Sequence, residues 1–191
     1  MRKILSFRSR LFLVMCGTAV LGFLTGALLP LTEGRAFVVE TAAVYFENLA
    51  QFPWQTAYLF CALPVLLAMV SGFYWHGYVL DASLLLFKAF HVAVLCSYYA
   101  LKYGAAGILL SAVLIFPCAS VSLVMLCTVA TDAAEFSLQS RRFREAEYET
   151  EKNRFLLSGC TMVLFSCLCI PWTVLVNPHL EQWIRSAFGI F

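Results

Sequence analysis

From Ala105 to Ala130 the chain runs for 26 residues without a charged side chain and with a single proline, Pro117. A helix needs roughly 20 apolar residues to cross the hydrocarbon core of a bilayer. Such a run is satisfied in a membrane or in the centre of a much larger protein. The chain has 191 residues, 62% of them hydrophobic and only 13% charged, and a soluble domain of that size cannot keep so much apolar surface from water. In lipid every backbone polar group must be paired internally, which for apolar runs of this length means helices. The expected fold class is an all-α, polytopic integral membrane protein.

Four further runs have the length of a span, giving expected spans at about 11–29, 56–74, 79–101, 105–130 and 155–176. The first follows Arg2, Lys3, Arg8 and Arg10 and ends at Pro30. A basic start before an apolar run also describes a signal peptide, but 19 residues is long for one and no Ala-x-Ala site follows promptly. An uncleaved first span is the better reading. On it Thr18, Gly22 and Gly26 recur every four residues, so small side chains share one helix face and permit close approach of a neighbouring span or partner. In the fourth span Pro117 removes a backbone hydrogen bond and should kink the helix, with Ser120 and Ser122 placed to recapture the freed carbonyls. With neither Gly nor Pro from Cys118 to Asn153, that helix is expected to continue to about Arg144.

The third span is unusual because it holds Asp81, Lys88 and His91. A charge at the centre of a membrane helix costs roughly 2.5–3.5 kcal/mol on the insertion scale, so Lys88 should face protein or a wet cavity. Asp81 lies seven residues before it, on the same face but about 10 Å away along the axis, too far for a dependable ion pair. The cluster is either a polar path or an interhelical clamp with Asp81 snorkelling to the near interface. The clamp is the preferred reading.

Outside the spans, segment 31–53 alternates Glu33, Glu40 and Glu47 with apolar residues at helical spacing. It reads as an amphipathic helix in the interface or as a loop helix packed on the spans. Segment 131–154 carries Arg141, Arg142 and Arg144 and then alternating acids and bases. Arg141–Glu145 and Glu149–Lys152 stand at helical pair spacing, which suits a solvated helix. The tail 177–191 reads as a short interfacial helix. Lys and Arg concentrate at the N-terminus and in 131–154, which places both in the cytoplasm and requires an odd number of spans. Five spans with the N-terminus inside meet that requirement.

Eight cysteines lie within apolar runs, without a CxxC and with no His at ligand spacing, so they read as small packing residues. No nucleotide loop, zinc helix, nucleophile elbow or dinucleotide fingerprint occurs. Neither enzyme activity, nor a cofactor or metal, nor nucleic-acid binding is expected. Lipid is the one partner implied by composition, and a second copy of the chain is a further one that the small-residue face would admit.

The stretch Gly104 to Ser137, GAAGILLSAVLIFPCASVSLVMLCTVATDAAEFS, joins a Gly-bearing turn, an apolar run broken by Pro and a small-residue exit before a basic cluster. In this it resembles the stage II sporulation protein M family. LGFLTGALL at Leu21 to Leu29 is similar to that family's first span, and LPVLL at Leu63 to Leu67 to the start of its second. The charged third span and the acidic linker depart from the family pattern. The resemblance implies a non-enzymatic scaffold in the mother-cell or septal membrane of an endospore-forming bacterium. Such a scaffold gathers membrane-anchored wall hydrolases, an amidase and a lytic transglycosylase, for septal thinning and forespore engulfment. It also implies contact surfaces at segment 33–49, the tail from His179 and the face of Thr18, Gly22 and Gly26. The competing expectation is a permease-like subunit coupled through 131–154 to a cytoplasmic ATPase, with Asp81, Lys88 and His91 as its polar path.

Overall fold

The computed structural model describes residues 2–32, 34–140 and 145–188, which are helical apart from short turns and contain no strand. The helices are α1 (Arg2–Leu28), α2 (Arg35–Gln51), α3 (Pro53–Cys61), α4 (Leu63–Ser71), α5 (Gly77–Leu114), α6 (Phe116–Gln139), α7 (Glu145–Cys167), α8 (Cys169–Pro171) and α9 (Asn177–Phe188). A π-helical turn, Trp172–Val176, joins the last two. Prolines set three of these starts, since Pro53, Pro64 and Pro117 each occupy a first helical turn, where a missing N–H is tolerated.

Five stretches are long and apolar enough to cross a membrane: Phe7–Leu31, Pro53–Ser71, Gly77–Leu114, Phe116–Gln139 and Glu147–Ile184. The third reverses at Gly104, whose φ of 60° and ψ of −132° suit a residue without Cβ. A Cβ on Gly107 would lie 1.8 Å from the Tyr99 carbonyl oxygen, so residues 105–114 fold back along the helix they follow. The third span is therefore 77–103, and 105–114 with α6 make the fourth. The hairpin expected at Lys102 to Gly104 is present.

Two expectations for the fourth span need correction. Instead of a kinked continuous helix, the chain breaks at Ile115 and restarts with Pro117 in the first turn of α6. Proline lacks the N–H that Val113 O would accept, and its ring crowds the preceding turn. The helix also closes at Gln139, while Arg141, Arg142 and Arg144 lie outside the described residues. The second span is likewise in two pieces, broken at Ala62 just before Pro64.

Helix α2 packs against spans 2 and 3, with Val38 and Ala42 buried. It turns Phe37, Val39 and Val44 outward beside exposed Glu40 and Glu47. Of its two expected placements, the loop helix packed on the spans describes its inner face and the amphipathic interfacial helix its outer one. In the tail, Ile184 packs with Tyr99, Leu110 and Leu114 while Trp183 is 70% exposed, as befits an interfacial helix. In the linker Lys152 reaches both oxygens of Glu149 at 2.9 and 3.0 Å. The Arg141–Glu145 pair falls outside the described side chains.

The main core lies where α1, α4, α5 and α6 meet, around Met15, Val65, Leu85, Leu126 and Ala130. Spans 1 and 3 approach there through backbone. A Cβ on Gly22 would lie 2.3 Å from Leu86 O, and one on Gly26 2.6 Å from Phe90 O and 2.8 Å from Ala93 Cβ. Gly17, one residue before Thr18, has open space instead. Gly26→Leu is expected to destabilise the protein by about 1–3 kcal/mol, the usual cost of overpacking, and Gly17→Leu to change little. Thermal unfolding in detergent reads both, and an equal loss for the two variants would refute the close approach.

Candidate functional site

The polar side chains buried among the spans form one site of chemical interest, centred on the break at Pro64. In a continuous helix the N–H of residue 64 would bond the carbonyl of residue 60, and proline has none. Phe60 O, at the C-terminal end of α3, would thus be unpaired in a medium without water, at a cost of several kcal/mol. Lys88 supplies the missing donor: its Nζ donates to Phe60 O and sits 3.5 Å from the centroid of the Phe60 ring. The next carbonyl, Cys61 O, accepts from Ser122 Oγ of α6 at 2.9 Å. A cation at a helix C-terminus also meets the negative end of its dipole.

Lys88 is only 3% exposed, and no carboxylate lies within ion-pair distance of it among the described residues. Its partners are a carbonyl, an aromatic face and the nearby thiols of Cys61, Cys118 and Cys169. These three cysteines form a small buried cluster, in which Cys118 Sγ points at Cys169 O at 3.6 Å and Cys169 Sγ at Cys118 O at 3.7 Å.

Asp81 is placed differently from expectation. It is completely buried and does not snorkel. The short turn after α4 brings Ser71 to it, and the Ser71 hydroxyl bonds Asp81 Oδ1. The structure therefore separates the three members of the sequence cluster. Asp81 closes the cytoplasmic hairpin between spans 2 and 3, Lys88 caps the mid-membrane break, and His91 packs among rings. The His91 ring lies 5.5 Å from Tyr45, 5.3 Å from Phe60 and 6.2 Å from Phe87, measured between centroids. The face of Thr18, Gly22 and Gly26 is divided too. Gly22 and Gly26 are occupied by span 3, and partly buried Thr18 bonds its own helix at Val14 O, 2.9 Å away.

Two further clamps were not foreseen. At the cytoplasmic end, Arg8 Nη2 of α1 reaches Asp132 Oδ1 of α6 at 2.6 Å, and Ser158 Oγ of α7 donates to Asp132 Oδ2 at 3.0 Å. One carboxylate thereby ties spans 1, 4 and 5. Towards the outside, Asn177 Nδ2 donates at 2.8 Å to Leu114 O, a carbonyl left by the break at Ile115. Ser122 also differs from expectation, serving span 2 and not its own helix. Ser120 does bond back within its turn, to Pro117 O at 2.9 Å. The signal in the sequence was the prolines, each naming the carbonyl it orphans four residues earlier. Which side chain answers depends on the register between spans.

Comparison with protein-family models, with curated proteins and with solved structures found no match.

The clamp can be tested through its cause. Lys88→Met alone is expected to destabilise the protein by about 1–3 kcal/mol, because Phe60 O is left buried and unpaired. In a Pro64→Ala background the new N–H can serve Phe60 O, and the same lysine change should then cost little. Thermal unfolding of the four proteins gives the coupling directly, and equal losses in both backgrounds would rule the clamp out.

Proposed function

We propose that this chain is a non-enzymatic, five-span membrane scaffold. The supporting observation is that its intramembrane polar groups end on one another or on backbone carbonyls. Lys88 and Ser122 serve the ends of α3, Asp81 bonds Ser71, and Asp132 joins Arg8 to Ser158. A carrier needs polar groups turned toward a path for its substrate, whereas a rigid platform needs them turned toward neighbouring helices. The bundle has the second character.

The sequence resemblance to the stage II sporulation protein M family supplies the class of cargo. On this reading the scaffold holds membrane-anchored wall hydrolases, an amidase and a lytic transglycosylase, at the septal membrane during engulfment. The Gly22 and Gly26 stripe is already covered by span 3, so the contact surfaces fall elsewhere. They are the outward edge of α2, with Phe37, Val39 and Val44, and the exposed Trp183 of α9.

Affinity purification of the tagged chain from sporulating cells, followed by mass spectrometry, tests the proposal. Single-span hydrolases should co-purify near stoichiometry. Val39→Glu with Val44→Glu should reduce their recovery about ten-fold, a loss of about 1.4 kcal/mol in affinity, while leaving the scaffold's membrane abundance unchanged. Recovery of a cytoplasmic ATPase without any hydrolase would overturn the scaffold in favour of a permease-like subunit.

A further inference from the structure

On the outer side, two cavities meet between α2, α9 and the turn of α5. The outer one, about 320 Å³, is lined by Phe46, Tyr98, Tyr99, Lys102, Tyr103 and Glu181 among others. The deeper one, about 80 Å³, reaches past Tyr45 to Phe60, Cys118 and Asn177. Both are bounded by Phe46, Leu49, Tyr99, Pro178 and Glu181, so they form a single funnel. The outer chamber alone reaches the size range of small-ligand sites, roughly 300–1,000 Å³.

The polar groups along this funnel are ordered by charge. At the mouth Lys102 donates to Tyr98 Oη at 3.1 Å, and its ammonium lies 5.4 and 5.3 Å from the centroids of the Tyr98 and Tyr103 rings. An ammonium has three N–H bonds, so this anchor leaves donors for an anion. Glu181 borders both chambers. In the depth Asn177 gives Nδ2 to Leu114 O, while its Oδ1 is buried with no hydrogen-bond partner among the described residues. Between these ends the walls are aromatic, and aromatic faces favour a cation. Lys88, on the Phe60 ring, does not line either chamber.

We propose that the funnel binds the phosphoethanolamine headgroup of an outer-leaflet phospholipid. The phosphate meets Lys102 at the mouth. The ammonium passes between the rings to Glu181, with an N–H directed toward Asn177 Oδ1. The acyl chains stay in the bilayer, since the funnel opens where α2 and α9 lie along the spans. A glycerol headgroup offers no cation for Glu181 and the rings, and a trimethylated amine offers no N–H for the two acceptors. This site is independent of the scaffold reading, because it rests on the funnel alone.

Native mass spectrometry of the full chain tests it, with equal amounts of phosphatidylethanolamine and phosphatidylglycerol of identical acyl chains. Retention of the ethanolamine lipid should exceed that of the glycerol lipid about ten-fold. Lys102→Ala and Glu181→Gln should each abolish that preference, and Lys102→Arg should preserve it. Lys102 is exposed and Glu181 half-buried, and unchanged melting temperatures confirm that the variants stay folded. Equal retention of the two lipids by the unmodified protein, or an undiminished preference in Lys102→Ala, would overturn the proposal. Glycerophosphoethanolamine, which lacks chains, separates the sources. Retention of that compound with no preference between the lipids would assign the funnel to a soluble ammonium phosphate and overturn the lipid assignment.

Discussion

A single orphaned carbonyl explains why this bundle tolerates a lysine in its middle. Pro64 breaks the second span and leaves Phe60 O without an internal partner, and Lys88 answers from the third span. Each feature taken alone would be costly in lipid. A bare carbonyl and a bare ammonium both carry large desolvation penalties, and each removes the other's. Ser122 extends the arrangement by taking Cys61 O, so spans 2, 3 and 4 are fixed against each other at one depth by directional bonds.

The same logic recurs at other depths with different chemistry. Near the cytoplasm Asp132 is shared between Arg8 and Ser158, and Ser71 bonds Asp81 across a hairpin. Ser137 also holds the connecting turn, through Tyr74 O at 2.6 Å and Trp75 O at 3.1 Å. Towards the outside Asn177 takes Leu114 O. Apolar packing in a membrane has no water to exclude, so side-chain shape and such bonds must supply the specificity. Here the close backbone approach at Gly22 and Gly26 provides the first and the clamps the second.

Much of this fold was legible in the sequence, for reasons that differ from element to element. Span number and direction follow from run length and from the placement of Lys and Arg, which need no tertiary knowledge. The reversal at Gly104 was legible because a short Lys-Tyr-Gly turn separates two apolar runs. The fate of Pro117 was less so, since a proline in an apolar run can bend a helix or end it. The choice depends on whether neighbours satisfy the freed groups, as Asn177 does for Leu114 O. Asp81 misled for a related reason. Near a helix end an acid can reach the interface, but Ser71 lay opposite it, and that was not visible along the chain. The inward packing of Gly22 and Gly26 could be read as a packing face, while its occupant, span 3, required the parallel register of two distant helices. The hydrogen bonds of Lys88, Ser122 and Asp132 were hidden for the same reason.

The clamp at Phe60 also bears on how the chain is made. Donor and acceptor lie 28 residues apart, in consecutive spans joined by a short turn. During synthesis the acceptor reaches the insertion machinery first and waits unpaired until the lysine arrives. Neither span is comfortable in lipid by itself, the second because it is broken and the third because it is charged. They become so as a hairpin, and the polar contact that holds the finished bundle makes the pair, not the single helix, the unit that leaves the translocon.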